Sequence, residues 1–264
     1  MAEPAAVEGS PQRRSRRGAS ARRINALSEI NNARSYLEIG VLNGLTFLNV
    51  TVPRKHAVDP RFRLDTAAAQ SEHVSFFEMP SNEFFLHHVE PDTKYDIIFL
   101  DGLHTFEQTL RDFCATMRHC HDNTIWLIDD VFPSDMFSAL RRESDTRKYR
   151  ELHGKQSLDW HGDVFKVMFA IHDFFVNFTY KTINTDGNPQ SVLVRRSRAS
   201  FEPFCNDLER ISRMDYCAFY ENQHMLNVDS EAGVLEWVRG VMHDQTGQSG
   251  DGAVIGPGHG KPVA

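Results

Sequence analysis

Between residues 23 and 243, short apolar runs alternate with stretches whose apolar positions recur at helical spacing. Ser35–Ile39 reads as a first buried strand that enters a glycine-containing turn and then a helix. His56–Val58 and Val74–Phe77 read as the second and third strands. Asp96–Leu100 (DIIFL) is the fourth, and Phe106, Leu110, Phe113 and Met117 repeat along a helix that follows it over about 105–119. Thr124–Ile128 (TIWLI) is the fifth strand, and Phe165–Phe175 reads as helix. Phe178–Ile183 and Ser191–Val194 flank the turn signal DGNP and form a hairpin. The segment 203–240 reads as helical. Strand–helix alternation closed by a hairpin predicts an α/β fold: a mostly parallel, seven-stranded sheet with helices on both faces and a C-terminal antiparallel hairpin.

Composition sets the limits of that domain. Residues 1–22 are Ala, Pro, Gly, Ser and Arg, and residues 244–264 are Gly-rich; both are expected to be disordered tails around a single domain over 23–243. Residues 1–23 carry six arginines against Glu3 and Glu8, a balance of +4, so a chain of net charge −7 keeps −11 in the remainder. An acidic body argues against a nucleic-acid backbone as partner, because phosphate binding needs clustered Lys and Arg. The Arg-rich tail reads as a solvated segment. No run of 18 apolar residues is present and the first residues lack the apolar core of a secretory signal, so neither a membrane nor an export pathway is expected. The four cysteines show no CxxC spacing, which fits a reduced, cytoplasmic protein without a zinc site.

The candidate chemistry sits at strand ends. Glu38, Gly40 and Gly44 stand at the end of the first strand and in the turn after it. A dinucleotide fingerprint would need GxGxxG to seat a pyrophosphate; here the second glycine comes four residues after the first, so that cradle is missing. Asp59 closes the second strand about twenty residues after the glycine turn, where an acid can accept hydrogen bonds from ribose hydroxyls. Ser81 is the polar contact expected in the loop Met79–Glu83 after the third strand. Two further apolar strands each end in acid: Asp101, with His104 three residues on, and the pair Asp129–Asp130. A parallel pairing gathers Asp101, Asp129 and Asp130 at one sheet edge, where three carboxylates repel unless a cation neutralises them. Oxygen-only ligands suit Mg²⁺ or another hard divalent ion. His104 would lie beside it, placed to remove a proton from a substrate hydroxyl.

The series EIGVLNG, AVDP, MPSNEFF, DGLHTFE, IDDVFP and WHGDVFK over about residues 33–196 resembles class I S-adenosylmethionine (SAM) dependent methyltransferases. Within them it resembles the bacterial macrocin-type sugar O-methyltransferases. The resemblance implies a Rossmann-like sheet with SAM over strands one to three. Glu38, Gly40 and Gly44 would lie by its methionine part, Asp59 at the ribose, Ser81 by the adenine, and Asp101 at the sheet edge. It also implies Mg²⁺ on Asp101, Asp129 and Asp130, His104 as base, and a small hydroxylated acceptor such as a sugar or other polyol of secondary metabolism. A metal-independent O- or N-methyltransferase and a SAM-binding scaffold without turnover remain open, as does a homo-oligomer. His161 and Asp163 read as loop-bracing or helix-capping residues as readily as substrate contacts, and Phe84, Phe85, Phe174 and Phe175 read as core.

Overall fold

A computed structural model of the chain describes residues 18–157 and 159–248. Helices α1 (Ala19–Asn31), α2 (Thr66–Ala69), α3 (Ser81–Glu83), α4 (Phe106–Thr116), α5 (Glu143–Leu152), α6 (Phe165–Phe174), α7 (Leu208–Ser212), α8 (Tyr216–Asn222) and α9 (Glu231–Gln248) surround one sheet. Its strands are β1 (Ser35–Ile39), β2 (Arg54–Asp59), β3 (Val74–Glu78), β4 (Ile97–Leu100), β5 (Ile125–Asp129), β6 (Thr179–Ile183), β7 (Gln190–Val194) and β8 (Val228–Asp229), in the order β3-β2-β1-β4-β5-β7-β6-β8. β3 to β5 pair in parallel, β7 runs antiparallel between β5 and β6, and β8 adds in parallel to β6.

β1, β4 and β5 are largely apolar and are buried along their whole length, as a parallel sheet covered on both faces requires. Successive side chains divide between two cores. Ile98, Leu100, Trp126 and Ile128 join Phe113 of α4 and Phe169 of α6 on one face. Ile97, Phe99, Ile125 and Leu127 join Ile24 and Leu27 of α1 and Val234 and Val238 of α9 on the other.

Three expectations change. The helix expected after the glycine turn is only a 3₁₀ turn, Phe47–Asn49. Val50-Thr51-Val52-Pro53 stops it, because β-branched residues favour extended backbone and the residue before proline is pushed out of the helical region. The buried Lys55 ammonium then holds the turn, donating to the carbonyls of Phe47 (2.7 Å) and Val50 (2.9 Å). The sheet has eight strands rather than seven, because Val228–Asp229 pairs with Thr182–Ile183 inside the segment read as helical; two residues show no periodicity. The domain is also longer than 23–243. Helix α1 starts at Ala19 with Ala19 and Ala21 buried, Arg22 pairs with Glu231 at 2.7 Å, and α9 runs to Gln248. The rest of both tails, 1–17 and 249–264, lies outside the described residues, which include no helix long and apolar enough to cross a membrane. All four cysteines are free.

Candidate active site

The strand order reverses between β1 and β4, and in an open sheet of this kind ligands bind beyond the carboxyl ends at such a point. A cavity of about 720 Å³ lies there. Its lining includes Glu38, Gly40, Asp59, Ser81, Asp101, His104, Gln108, Asp112, Asp129 and Asn188. Among the described residues, five carboxyl groups reach its wall and no lysine or arginine does.

The turn after β1 is fixed from below. Gly40 has φ +87°, and a β-carbon there would collide with the carbonyl oxygen of Asp101. The glycine is thus demanded by the close passage of β4 as well as by any ligand above it. Asp59 braces the same turn: its Oδ2 accepts from the backbone N–H groups of Val41 (2.9 Å) and Leu42 (2.8 Å), and its Oδ1 from Arg61 N–H (2.7 Å). The carboxylate lines the cavity while holding the backbone that forms its floor. Gly44, at φ +75°, turns the chain into the Phe47–Asn49 segment; it is absent from the cavity wall, where Val41, Leu42, Asn43 and Leu45 stand instead. Glu38 is buried and accepts a hydrogen bond from the Tyr36 hydroxyl. Burial, opposed by that hydrogen bond and by the charge of Lys55, pushes its carboxyl up to about 8.

At the β4–β5 edge the expected acids do meet. Asp130 has φ +60°, a left-handed backbone that Asp adopts more readily than most residues. His104 Nδ1 sits 2.7 Å from Asp130 Oδ2, and its Nε2 3.7 Å from Asp101 Oδ1. Asp101, His104 and Asp130 can bring one ligand atom each within 4.8 Å of one another. Asp129 is outside that group: its Oδ2 accepts from Asn188 Nδ2 (3.1 Å), and its buried Oδ1 has no hydrogen-bond partner. The three acids thus gather at this edge, with His104 between Asp130 and Asp101 and with Asp129 against Asp101. Burial together with the neighbouring charges of Asp129 and Asp130 raises the Asp101 carboxyl well above its ordinary range. Burial and the Asp130 charge push Asp129 up to about 7. Burial alone would lower His104, but the Asp130 charge and hydrogen bond lift it to about 9.

The loop 160–163 completes this corner. Trp160 stacks on His104 with ring centroids 4.8 Å apart and planes 10° apart, and its indole N–H donates to the Leu140 carbonyl (2.7 Å). Gly162 has φ +63°, and a β-carbon there would strike the His104 carbonyl oxygen. His161 is buried with Nε2 3.8 Å from Asp130 Oδ1. Asp163 accepts from the first N–H of α4 at Phe106 (2.9 Å) and pairs with Lys166 (3.0 Å), so it caps and braces. Ser81 lines the cavity, yet its hydroxyl hydrogen goes to Asp112 Oδ1 (2.6 Å). Asp112 and Gln108 of α4, Asn188 of the hairpin turn and Ser20 of α1 all reach the cavity wall without having been expected there. Gln108 and Asp112 lie four residues apart on one helix face, a spacing that looks like any solvated helix surface.

Residues 16–131 match the family model described as a methyltransferase domain. The match takes in Glu38, Gly40, Asp59, Asp101, His104, Asp129 and Asp130. No curated protein matches the chain. Similar solved structures include the O-methyltransferase TomG of Streptomyces achromogenes, involved in tomaymycin synthesis and in complex with SAM (11% identity, 72% of this chain and 91% of that one, TM-score 0.46). Others are an O-methyltransferase of Bacillus cereus (15%, 72% and 84%, 0.42) and a methyltransferase of Podospora anserina (12%, 67% and 77%, 0.47), both with S-adenosylhomocysteine.

Proposed function

We propose that this methyltransferase binds SAM and moves its methyl group to a hydroxyl of a small molecule, with a divalent cation at the Asp101 corner. The observation that carries the reading is the acidic lining of the cavity: among the described residues it presents carboxyl groups from Glu38 to Asp129 and no lysine or arginine. Such a wall repels phosphate-bearing cofactors and favours a ligand with a sulfonium and an ammonium. Glu38 and Asp101 lie nearest the end of β1, where the methionine part would rest, and the free lone pair of Asp59 Oδ1 is available to a ribose hydroxyl.

SAM brings a methyl group that is already electrophilic, so the protein must align the acceptor, exclude water and take its proton. His104 is held for the last task by Asp130 at Nδ1, by the Trp160 ring on its face and by Gly162 behind its carbonyl. That leaves Nε2, on the Asp101 side, as the atom to receive the acceptor's proton. The orphaned Asp129 Oδ1 and the carboxylates of Asp101 and Asp130 suit a hard divalent ion such as Mg²⁺. When bound, that ion would supply Lewis acidity toward the acceptor oxygen and offset the negative charge that keeps His104 protonated.

A second reading has its own support. His104 already spans Asp130 and Asp101, and a protonated imidazole there neutralises the corner without any metal. The deciding experiment is transfer of labelled methyl from SAM to a panel of small hydroxylated acceptors, polyols and sugars first, in EDTA and then with Mg²⁺ or Mn²⁺ restored. Turnover that EDTA abolishes and the ion restores supports the metal-assisted reading. Undiminished turnover in EDTA supports the metal-free one, and binding of SAM without transfer to any acceptor supports a scaffold.

A further inference from the structure

The turn between β6 and β7 carries Asn188 to the acid corner, where methyl transfer gives its side chain no task. Asn188 stands on the cavity wall, and its Nδ2 donates to Asp129 Oδ2 (3.1 Å). Beyond the acid pair, Val131 N–H donates to the Pro189 carbonyl (3.4 Å), so the turn meets β5 on both flanks of Asp129 and Asp130. Asp129 Oδ1 is left buried with no donor. The turn in turn is placed by α1. Arg23, fully buried, donates through Nη2 to the Thr185 carbonyl and through Nη1 to Asn188 O (2.7 Å) and Gln190 Oε1 (2.9 Å). One guanidinium thus holds both limbs of the turn, and its Nε pairs with Glu231 of α9 at 3.0 Å, which neutralises the buried charge. Ser20 Oγ accepts from Gln190 Nε2 (2.7 Å). At Gly187 a β-carbon would come 2.5 Å from Ala19 Cβ, so the tip of the turn lies directly on the first turn of α1. The pairing of Thr179–Ile183 with Gln190–Val194 already closes the hairpin. What the arginine adds is the position of residues 185–188 relative to β5.

We infer that Arg23 is a positioning residue for the acid corner: by holding the β6–β7 turn on α1 it keeps Asn188 on Asp129 Oδ2, which leaves Oδ1 as the oxygen open to a hard divalent ion. This rests on the metal-assisted reading above. The terminal torsion of an aspartate is broad, and a donor fixed on one oxygen narrows it. Partners that orient a metal ligand in this way govern affinity by roughly 10–100-fold. Arginine suits the task because its planar fork presents five donors in fixed directions. A lysine ammonium, with its three donors on one atom, cannot hold Thr185, Asn188, Gln190 and Glu231 together.

The test is calorimetric titration of Mn²⁺ into the folded full chain, with Asp129→Asn to mark the part of the binding that belongs to this corner. Asn188→Ala and Arg23→Lys should each weaken that part by roughly 10–100-fold. The double variant should bind no more weakly than Asn188→Ala alone, because the arginine acts through the asparagine; losses that multiply would make the two independent and overturn the inference. Arg22→Gln removes the neighbouring α1 pair with Glu231, which does not include the turn, and should keep the wild-type affinity. An equal loss in Arg22→Gln would assign the effect to the general packing of α1 and overturn the inference. Gly187→Ala shifts the turn with Arg23 intact and should weaken Mn²⁺ as Asn188→Ala does, and it decides the matter if Arg23→Lys does not fold. Wild-type affinity in a folded Arg23→Lys or in Gly187→Ala overturns the inference and leaves the metal-assisted reading standing. A wild type that does not bind Mn²⁺, or binding that Asp129→Asn does not weaken, overturns both.

Discussion

His104 meets two requirements that pull in opposite directions. Asp130 orients it through a 2.7 Å contact, and the same contact raises its pKa to about 9, so the residue placed as base is protonated at neutral pH until the nearby negative charge is offset. Removing it tests the assignment. His104→Ala should leave SAM affinity nearly unchanged and slow methyl transfer by roughly 10²–10⁴-fold, with partial recovery at higher pH where hydroxide replaces the base. Full activity in His104→Ala would remove it from the chemistry. Glu38 gives a pH prediction. Its carboxyl ordinarily titrates near 4.5 and here near 8, so the folded protein holds a proton that the unfolded chain releases. The stability this contributes is present below about 4.5 and is lost as pH rises through about 8. Glu38→Gln lacks the dependence, so its melting temperature relative to wild type, without ligand, should climb between pH 5 and 8.5. A gap that stays constant would show that Glu38 is not proton-bound in the fold. The sequence showed the positions of Glu38, Asp101, His104, Asp129 and Asp130 because each follows a readable apolar strand. It did not show that His104 sits between Asp130 and Asp101 or that Asp129 accepts from Asn188, because such side-chain pairings leave no mark on apolar periodicity.

At the scale of the element, the glycine turn and the loop 160–163 decide whether the site exists. Gly40→Val introduces a β-carbon onto the Asp101 carbonyl in a backbone conformation that L-residues resist, so it should separate β1 from β4 as well as spoil SAM binding. Its melting temperature should fall together with its SAM affinity. Loss of affinity with wild-type stability would instead assign Gly40 to the ligand alone. Gly162→Ala presses on the carbonyl of His104 and should lower methyl transfer through misplacement of the imidazole, with SAM affinity largely kept. Equal kcat in Gly162→Ala and wild type would show that the loop does not position His104. The strands were legible because buried parallel strands are short continuous apolar runs, and β1 was readable to its exact ends. The helix expected between β1 and β2 was not formed, since Pro53 and the β-branched run before it outweigh the spacing of Leu45, Leu48 and Phe47, and a lysine closes the gap.

Across the whole molecule, the first and last described helices, α1 and α9, meet beside the site. Arg23, fully buried, donates to Asn188 O and Gln190 Oε1 in the hairpin and pairs with Glu231 of α9, and Asn188 in turn donates to Asp129. The Arg-rich composition of residues 1–22 masked this, because Arg22 and Arg23 look like the arginines before them and their partners lie far along the chain. Deleting residues 1–22 removes Ala19, Ala21 and the Arg22–Glu231 pair, so the melting temperature should drop by several degrees, about 5 °C or more. Deleting only 1–17 should spare these contacts, and an equal loss in both truncations would contradict the role given to the first turn of α1. All of this surrounds one acid-lined cavity, and the central claim is that it receives SAM. The most direct measurement is calorimetric titration of SAM into the folded full chain. The account predicts saturable binding at one site per chain that is lost in Gly40→Val; no detectable binding of SAM or S-adenosylhomocysteine to the folded wild type would contradict it.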